Sequence, residues 1–176
     1  MYWQRRLPHW VPEDSAVLVT WRLAGSKRAP VPAAGARWLG QARIAAILAQ
    51  ALIHGETVRR SYDLLAWVIM PNHVHVVMQP IRPLSEIMRW LKAATANRAN
   101  ALLGRTGTAF WQREYFDRWI RSENQLAPVI AYVEDNPVRS GLAACSEEWP
   151  WSSAYKQKNT ASKTAGATGA ADYSIR

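Results

Sequence analysis

Apolar residues along this chain change their spacing from one segment to the next, and each spacing predicts an element. Residues 16 to 23, Ala-Val-Leu-Val-Thr-Trp-Arg-Leu, are rich in β-branched and aromatic types and stop at Ala24-Gly25-Ser26, which predicts a first strand. The Pro/Ala/Gly-rich stretch from Pro30 to Gly35 reads as a loop. From about Trp38 to Arg59, Ile44, Ile47, Leu48, Ala51 and Leu52 recur three and four residues apart, the signature of a helix with one buried face. Tyr62 to Met70 is almost continuously apolar, as in a strand covered on both sides, and Pro71-Asn72 turns it into a second strand, His73 to Gln79. Strands joined so tightly must run antiparallel.

A second helix is expected from about Leu84 to Leu103, with Leu84, Ile87, Met88 and Leu91 turned inward and Arg89, Lys92 and Arg98 turned elsewhere. Trp111 to Arg121 alternates aromatic and charged residues and reads as a strand. Leu126, Val129, Ile130 and Val133 mark a third helix. Pro128 would cost it a backbone hydrogen bond unless near the first turn, so the helix should start near Asn124 or later and end at Asn136-Pro137. The order strand, helix, strand, strand, helix, strand, helix predicts an α+β fold with a single antiparallel sheet and packed helices. Residues 157 to 176 hold hardly any large apolar group and are expected to be a disordered tail to a domain spanning 1–156.

Charge and composition narrow the partners. Lysine and arginine outnumber aspartate and glutamate by 22 to 13, a formal +9, and the chain carries ten tryptophans, more than a core of this size needs. This is the footprint of a polyanion binder, though charge alone does not choose among DNA, RNA and an anionic membrane. The lone Cys145 forms no internal disulfide and rules out a two-cysteine zinc module. No apolar run reaches the roughly 18 to 20 residues that span a bilayer, and the N-terminus lacks a signal-peptide stretch, so a cytoplasmic protein without a membrane partner is expected.

Two constellations could carry chemistry. His73-Val74-His75 lies on a predicted strand, so both imidazoles point to one face and could chelate one metal ion, whereas Val74 and Val76 face the other side. Such a triplet alone is more often a pair of ordinary surface histidines than a metal site. Tyr132 and Asn136, four residues apart, share a helical face. A tyrosine can be a covalent nucleophile, but with a pKa near 10 it needs a cation or base beside it. An arbitrary helical tyrosine is more often a half-buried flank of the core. Tyr115 is the runner-up nucleophile, and neither it nor Tyr62 or Tyr155 has an amide or acid one turn away on a predicted helix.

The run Trp67-Val-Ile-Met-Pro-Asn-His-Val-His-Val-Val resembles the HUH motif, two histidines flanking a hydrophobic residue, of the single-tyrosine transposases. Phe110-Trp-Gln-Arg-Glu-Tyr-Phe-Asp-Arg-Trp-Ile-Arg, followed by Tyr132-Val-Glu-Asp-Asn-Pro-Val-Arg-Ser-Gly, is similar to the C-terminal part of the REP-associated tyrosine transposases. Arg6-Leu-Pro-His-Trp and Val19-Thr-Trp-Arg-Leu are similar to the start of that group, so the likeness extends from about Arg5 to Trp151. It implies a ferredoxin-like, HUH-type fold and a metal-dependent transposase that cleaves and rejoins single-stranded DNA. In that reading Tyr132 is the nucleophile, forming a 5′-phosphotyrosine, and His73, His75 and Asn136 hold magnesium or manganese. REP-type hairpins are the expected substrate, and the protein is expected to be a monomer or homodimer. Arg89, Arg98, Lys92, Arg113, Arg118 and Arg121 could line a phosphate-binding groove, with Trp111, Tyr115 and Trp119 stacking on unpaired bases. Two other classes compete: a single-strand binding module or repressor that has lost catalysis, and a metal-dependent nuclease that activates water and leaves no covalent adduct.

Overall fold

The structure, a computed structural model, describes residues 15–26 and 36–156. The expected loop at 30–35, the N-terminal similarity around Arg6 and the expected tail lie outside the described residues. Strands β1 (Val17–Arg22), β2 (Tyr62–Met70), β3 (His73–Pro80) and β4 (Phe116–Trp119) form one antiparallel sheet in the order β2-β3-β1-β4. Helices α1 (Ala42–Thr57) and α2 (Leu84–Leu102) make the crossovers, giving the split βαβ arrangement of ferredoxin-like folds. A 3₁₀ turn, Trp38–Gly40, precedes α1, so the predicted first helix begins as two pieces.

Alternation along the strands divides the sheet into two working faces. Val17, Val19 and Trp21 of β1 and Val74, Val76 and Met78 of β3 meet the periodic apolar residues of α1 and α2 in the larger core. Gly55 on α1 lets the two layers close here: a methyl at this position would overlap the Tyr62 hydroxyl, which donates to the Leu52 carbonyl at 2.8 Å. On the opposite face Leu18, Ala66, Val68 and Val77 pack against α3 (Glu123–Glu134), which buries Val133 and half-buries Leu126, Val129 and Ile130. Helix α3 lies on β2 and β3. Asp135 interrupts it before the single turn α4 (Asn136–Arg139), where Pro137 has no N–H to continue the ladder.

The predicted strand Trp111–Arg121 is much shorter, Phe116–Trp119, joined to the rest of the sheet earlier only by a bridge between Trp111 and Leu23. Trp111 turns into the core instead, donating from its indole nitrogen to Thr95 Oγ1 at 3.0 Å and packing edge-on against Trp21. The Lys92 ammonium then holds the Gln112 and Arg113 carbonyls, each at 2.7 Å, and draws that segment toward α2. Chain 149–153 covers the outer edge of β2: Ile69 N–H donates to the Trp151 carbonyl at 2.8 Å and the Trp149 indole to the Ile69 carbonyl at 3.0 Å. That covering removes an open edge from β2.

Candidate active site

Strand β3 brings His73 and His75 to the α3 face, with ring centroids 4.8 Å apart. The ring of His73 is held by Nδ1 donating to Asn72 Oδ1 at 2.6 Å, because an amide oxygen can only accept. His75 Nδ1 lies 2.8 Å from the hydroxyl of Thr20, its partner across the β1–β3 ladder. With both Nδ1 atoms engaged, both Nε2 atoms remain for another partner, the arrangement in which histidines ligate metals. Burial, then the neighbouring His75 and Arg22, lowers the His73 pKa from 6.5 to about 3, and burial with Arg22 lowers that of His75 to about 4. Both rings are therefore neutral near pH 7, as a metal ligand must be.

Helix α3 delivers Tyr132 to the same place. Its ring centroid is 6.1 Å from that of His75, and the residue is 40% exposed, so the phenol is reachable from solvent. The Arg139 guanidinium from α4 lies 5.2 Å from the centre of the Tyr132 ring. Asn136 folds its side chain back on α3, Nδ2 donating to the carbonyls of Tyr132 at 2.7 Å and Val133 at 3.3 Å. The amide nitrogen is thus spent on the helix end, and the oxygen is the part left to meet a cation. Among the described residues no three His, Cys, Asp or Glu side chains converge on a possible metal position. Two neutral imidazoles side by side and an amide oxygen one turn beyond Tyr132 are donor types that a divalent ion accepting both nitrogen and oxygen would take.

His75 and Tyr132 open onto a cavity of about 1000 Å³ between α3 and the β1–β4 half of the sheet. Its floor includes Leu18, Thr20, Arg22, Phe116 and Arg118, and α3 supplies Asn124, Gln125, Pro128 and Val129. Only part of the expected DNA-binding set is here. Arg118 and Tyr115 line the cavity, and Arg113 and Arg121 are exposed nearby in sequence without lining it. Arg89 and Arg98 stand on α2, which packs on the other face of the sheet, and Arg98 donates to Gln50 Oε1 at 3.1 Å. Lys92 is committed to two carbonyls, Trp111 is core, and Trp119 packs against the α1–α2 core, so these three do not form the groove expected of them. Sequence reasoning assigned no role to Thr20, Asn72, Phe116 or Arg139. All four fall inside the segments that carry the resemblance, but the pairing of Thr20 with a histidine 55 residues away became visible only through strand register.

An antiparallel α+β sheet presenting an H-x-H pair beside a helix-borne tyrosine defines a class of single-tyrosine DNA-processing folds, and the comparisons with known proteins agree. The profile of the family described as "Transposase IS200 like" matches residues 44–136, more than half of the chain. The chain belongs to that family. It is 27% identical over 108 residues to a Haemophilus influenzae protein named provisionally as a REP-associated tyrosine transposase, a match covering 54% of this chain and 60% of that protein. A solved structure of a REP-associated tyrosine transposase bound to a REP hairpin shares the fold, with a TM-score of 0.64 and 20% identity over 85% of this chain and 82% of that one. No helix among the described residues is long and apolar enough to cross a membrane.

Proposed function

We propose that this protein cuts and rejoins single-stranded DNA at REP-type hairpins, with residues 1–156 as the catalytic domain and Tyr132 as the nucleophile. The observation that carries the proposal is the exposed Tyr132 phenol beside the neutral His75 ring at the end of a groove that also holds Arg22 and Arg118. The phenol oxygen forms a bond to phosphorus as the bond from phosphorus to the 3′ oxygen breaks. The phenol proton leaves to solvent or a nearby base, and the departing 3′ oxygen takes one up. The product is a 5′-phosphotyrosine and a free 3′ hydroxyl, and a second 3′ hydroxyl reverses the exchange to join strands without ATP.

His73, His75 and the oxygen of Asn136 would hold a divalent metal, magnesium or manganese, which supplies Lewis-acid stabilisation of the phosphate when bound. Thr20 and Asn72 fix the ring orientations that this requires. Arg139 stands over the Tyr132 ring and brings positive charge close to it. Hairpins are favoured as substrate because the structural neighbour of the same fold is bound to one.

Incubation of the full chain with end-labelled hairpin oligonucleotides and magnesium or manganese should give a covalent adduct on a denaturing gel, and its nucleotide should map by mass spectrometry to the Tyr132 peptide. Tyr132→Phe keeps the ring and should bind hairpin while forming no adduct. An adduct that persists in Tyr132→Phe and disappears in Tyr115→Phe overturns the choice of nucleophile. Hairpin binding without any adduct in the wild type turns the reading to a binding module, and cleavage without an adduct turns it to a water-activating nuclease.

A further inference from the structure

Phe116 is 54% exposed on β4, the edge strand of the sheet, where an open aromatic side chain favours unwanted pairing and does nothing for the core. Its place in the ladder suggests a use. Phe116 pairs with Thr20, and Thr20 with His75, so three neighbouring strands carry Phe116, Thr20 and His75 on the same face. At about 4.8 Å per strand, Phe116 lies roughly 10 Å across the sheet from His75, a short reach along an extended strand of nucleic acid. Arg118 is on the same face two residues on and lines the same cavity.

The facing wall is polar in a particular way. Asn124 and Gln125 are exposed on the first turn of α3 and border the cavity. Gln125 Oε1 accepts a long, 3.4 Å bond from Arg121 N–H, which leaves its amide hydrogens to the groove. Pro128 has no N–H, so the Asn124 carbonyl lacks the helical donor four residues on. A ring platform on one side, paired donors and acceptors on the other and arginines on the floor suit a ligand with a flat heterocycle, polar edges and a phosphate.

We propose that Phe116 is the platform on which one unpaired base beside the scissile phosphate stacks, with Asn124 and Gln125 reading that base's edge. The subsite rests on the single-strand DNA reading above and adds the residues that select sequence at the cut. Trp111 and Trp119, expected from the sequence to stack on bases, are not needed for it.

The test uses the full chain and hairpin oligonucleotides with single-stranded flanks, carrying 5-iodouracil at successive flank positions for photo-crosslinking. One position should crosslink to Phe116. Phe116→Leu should weaken binding of the unmodified strand about 5- to 140-fold, the range for losing one base–aromatic stack. Phe116→Trp should retain binding, and an abasic nucleotide at the crosslinked position should erase the difference between Phe116→Leu and wild type. Asn124→Ala combined with Gln125→Ala should level the preference among the four bases there. Wild-type affinity in Phe116→Leu, or crosslinks confined to other residues, overturns the subsite while adduct formation at Tyr132 leaves the DNA-processing reading standing. Failure of the wild type to bind any of these strands overturns both.

Discussion

Replacing Thr20 by valine tests whether the hydroxyl beside His75 sets up a metal site. Valine keeps the branched shape in the middle of β1 and removes only the group 2.8 Å from His75 Nδ1. A metal on Nε2 requires the proton on Nδ1, and in the wild type the Thr20 hydroxyl is placed to accept from that Nδ1–H. Without it, a largely buried Nδ1–H is left unpaired, at a cost of about 1–3 kcal/mol, and the ring gains by moving the proton to Nε2, where it blocks a metal. His75 is 7% exposed, so water does not readily take the place of the hydroxyl. Loss of such a partner typically lowers metal affinity about 10- to 100-fold, or about 1.4–2.8 kcal/mol. Calorimetric titration of the full chain with manganese should show that weakening, and Thr20→Ser should restore most of the affinity. The adduct-forming rate of Thr20→Val should recover toward wild type as manganese is raised, because Tyr132 is untouched. Wild-type manganese affinity in Thr20→Val, or a lost rate that no manganese concentration restores, refutes the reasoning.

Two further outcomes follow from the same geometry. Because burial holds the His73 and His75 pKa values near 3 and 4 while the unfolded chain protonates near 6.5, stability is full above about pH 6.5 and is lost as pH falls toward the folded values. In EDTA the thermal midpoint should therefore drop between about pH 7 and about pH 5, and His73→Gln with His75→Gln should flatten that drop; an equal slope in the double variant removes the histidines as its cause. Lys92→Met should destabilise the fold by on the order of 1 kcal/mol in denaturant titrations, because the half-buried Gln112 carbonyl loses its donor while water can serve the exposed Arg113 carbonyl, yet leave the salt dependence of single-strand binding unchanged. Arg118→Ala should do the reverse, lowering the salt slope by about one phosphate contact without loss of stability, and exchanged behaviours would place Lys92 at the DNA.

Local pattern carried a large part of this fold. The almost continuous apolar run Tyr62–Met70, the Pro71-Asn72 turn and the three- and four-residue spacing of α1 and α2 were legible because each depends on neighbours within a few residues. The segment after α2 was not. Its aromatic and charged alternation suits a strand, but Thr95 offers an acceptor to the Trp111 indole and Lys92 captures the next two carbonyls, and both partners come from a different element. The same limit governs the site. H-x-H and the Tyr132 to Asn136 spacing could be read along the chain, whereas the division of arginines between the two faces depends on α1 and α2 crossing on one side and α3 on the other.

That two-faced sheet also explains why the site can be precise. The alternation that points His73 and His75 toward Tyr132 sends Val74, Val76 and Met78 into the α1–α2 core, so neither set can move without the other. A slip of β3 by one residue would exchange them, burying imidazoles among Ile44, Leu48 and Leu91 and exposing valines to the groove. Register is therefore enforced by the apolar core, and the imidazoles receive their positions from it. The helical side of the site is fixed differently, by Val133 locked in the smaller core one residue after Tyr132 and by Asn136 fastened to the Tyr132 carbonyl. Tyr132 itself keeps 40% of its surface, so the proposed nucleophile stays accessible on a helix whose opposite flank is immobilised. Rigid backbone on both sides with an exposed phenol between them is what in-line attack on a mobile single strand requires, since the protein must supply the order that the substrate lacks.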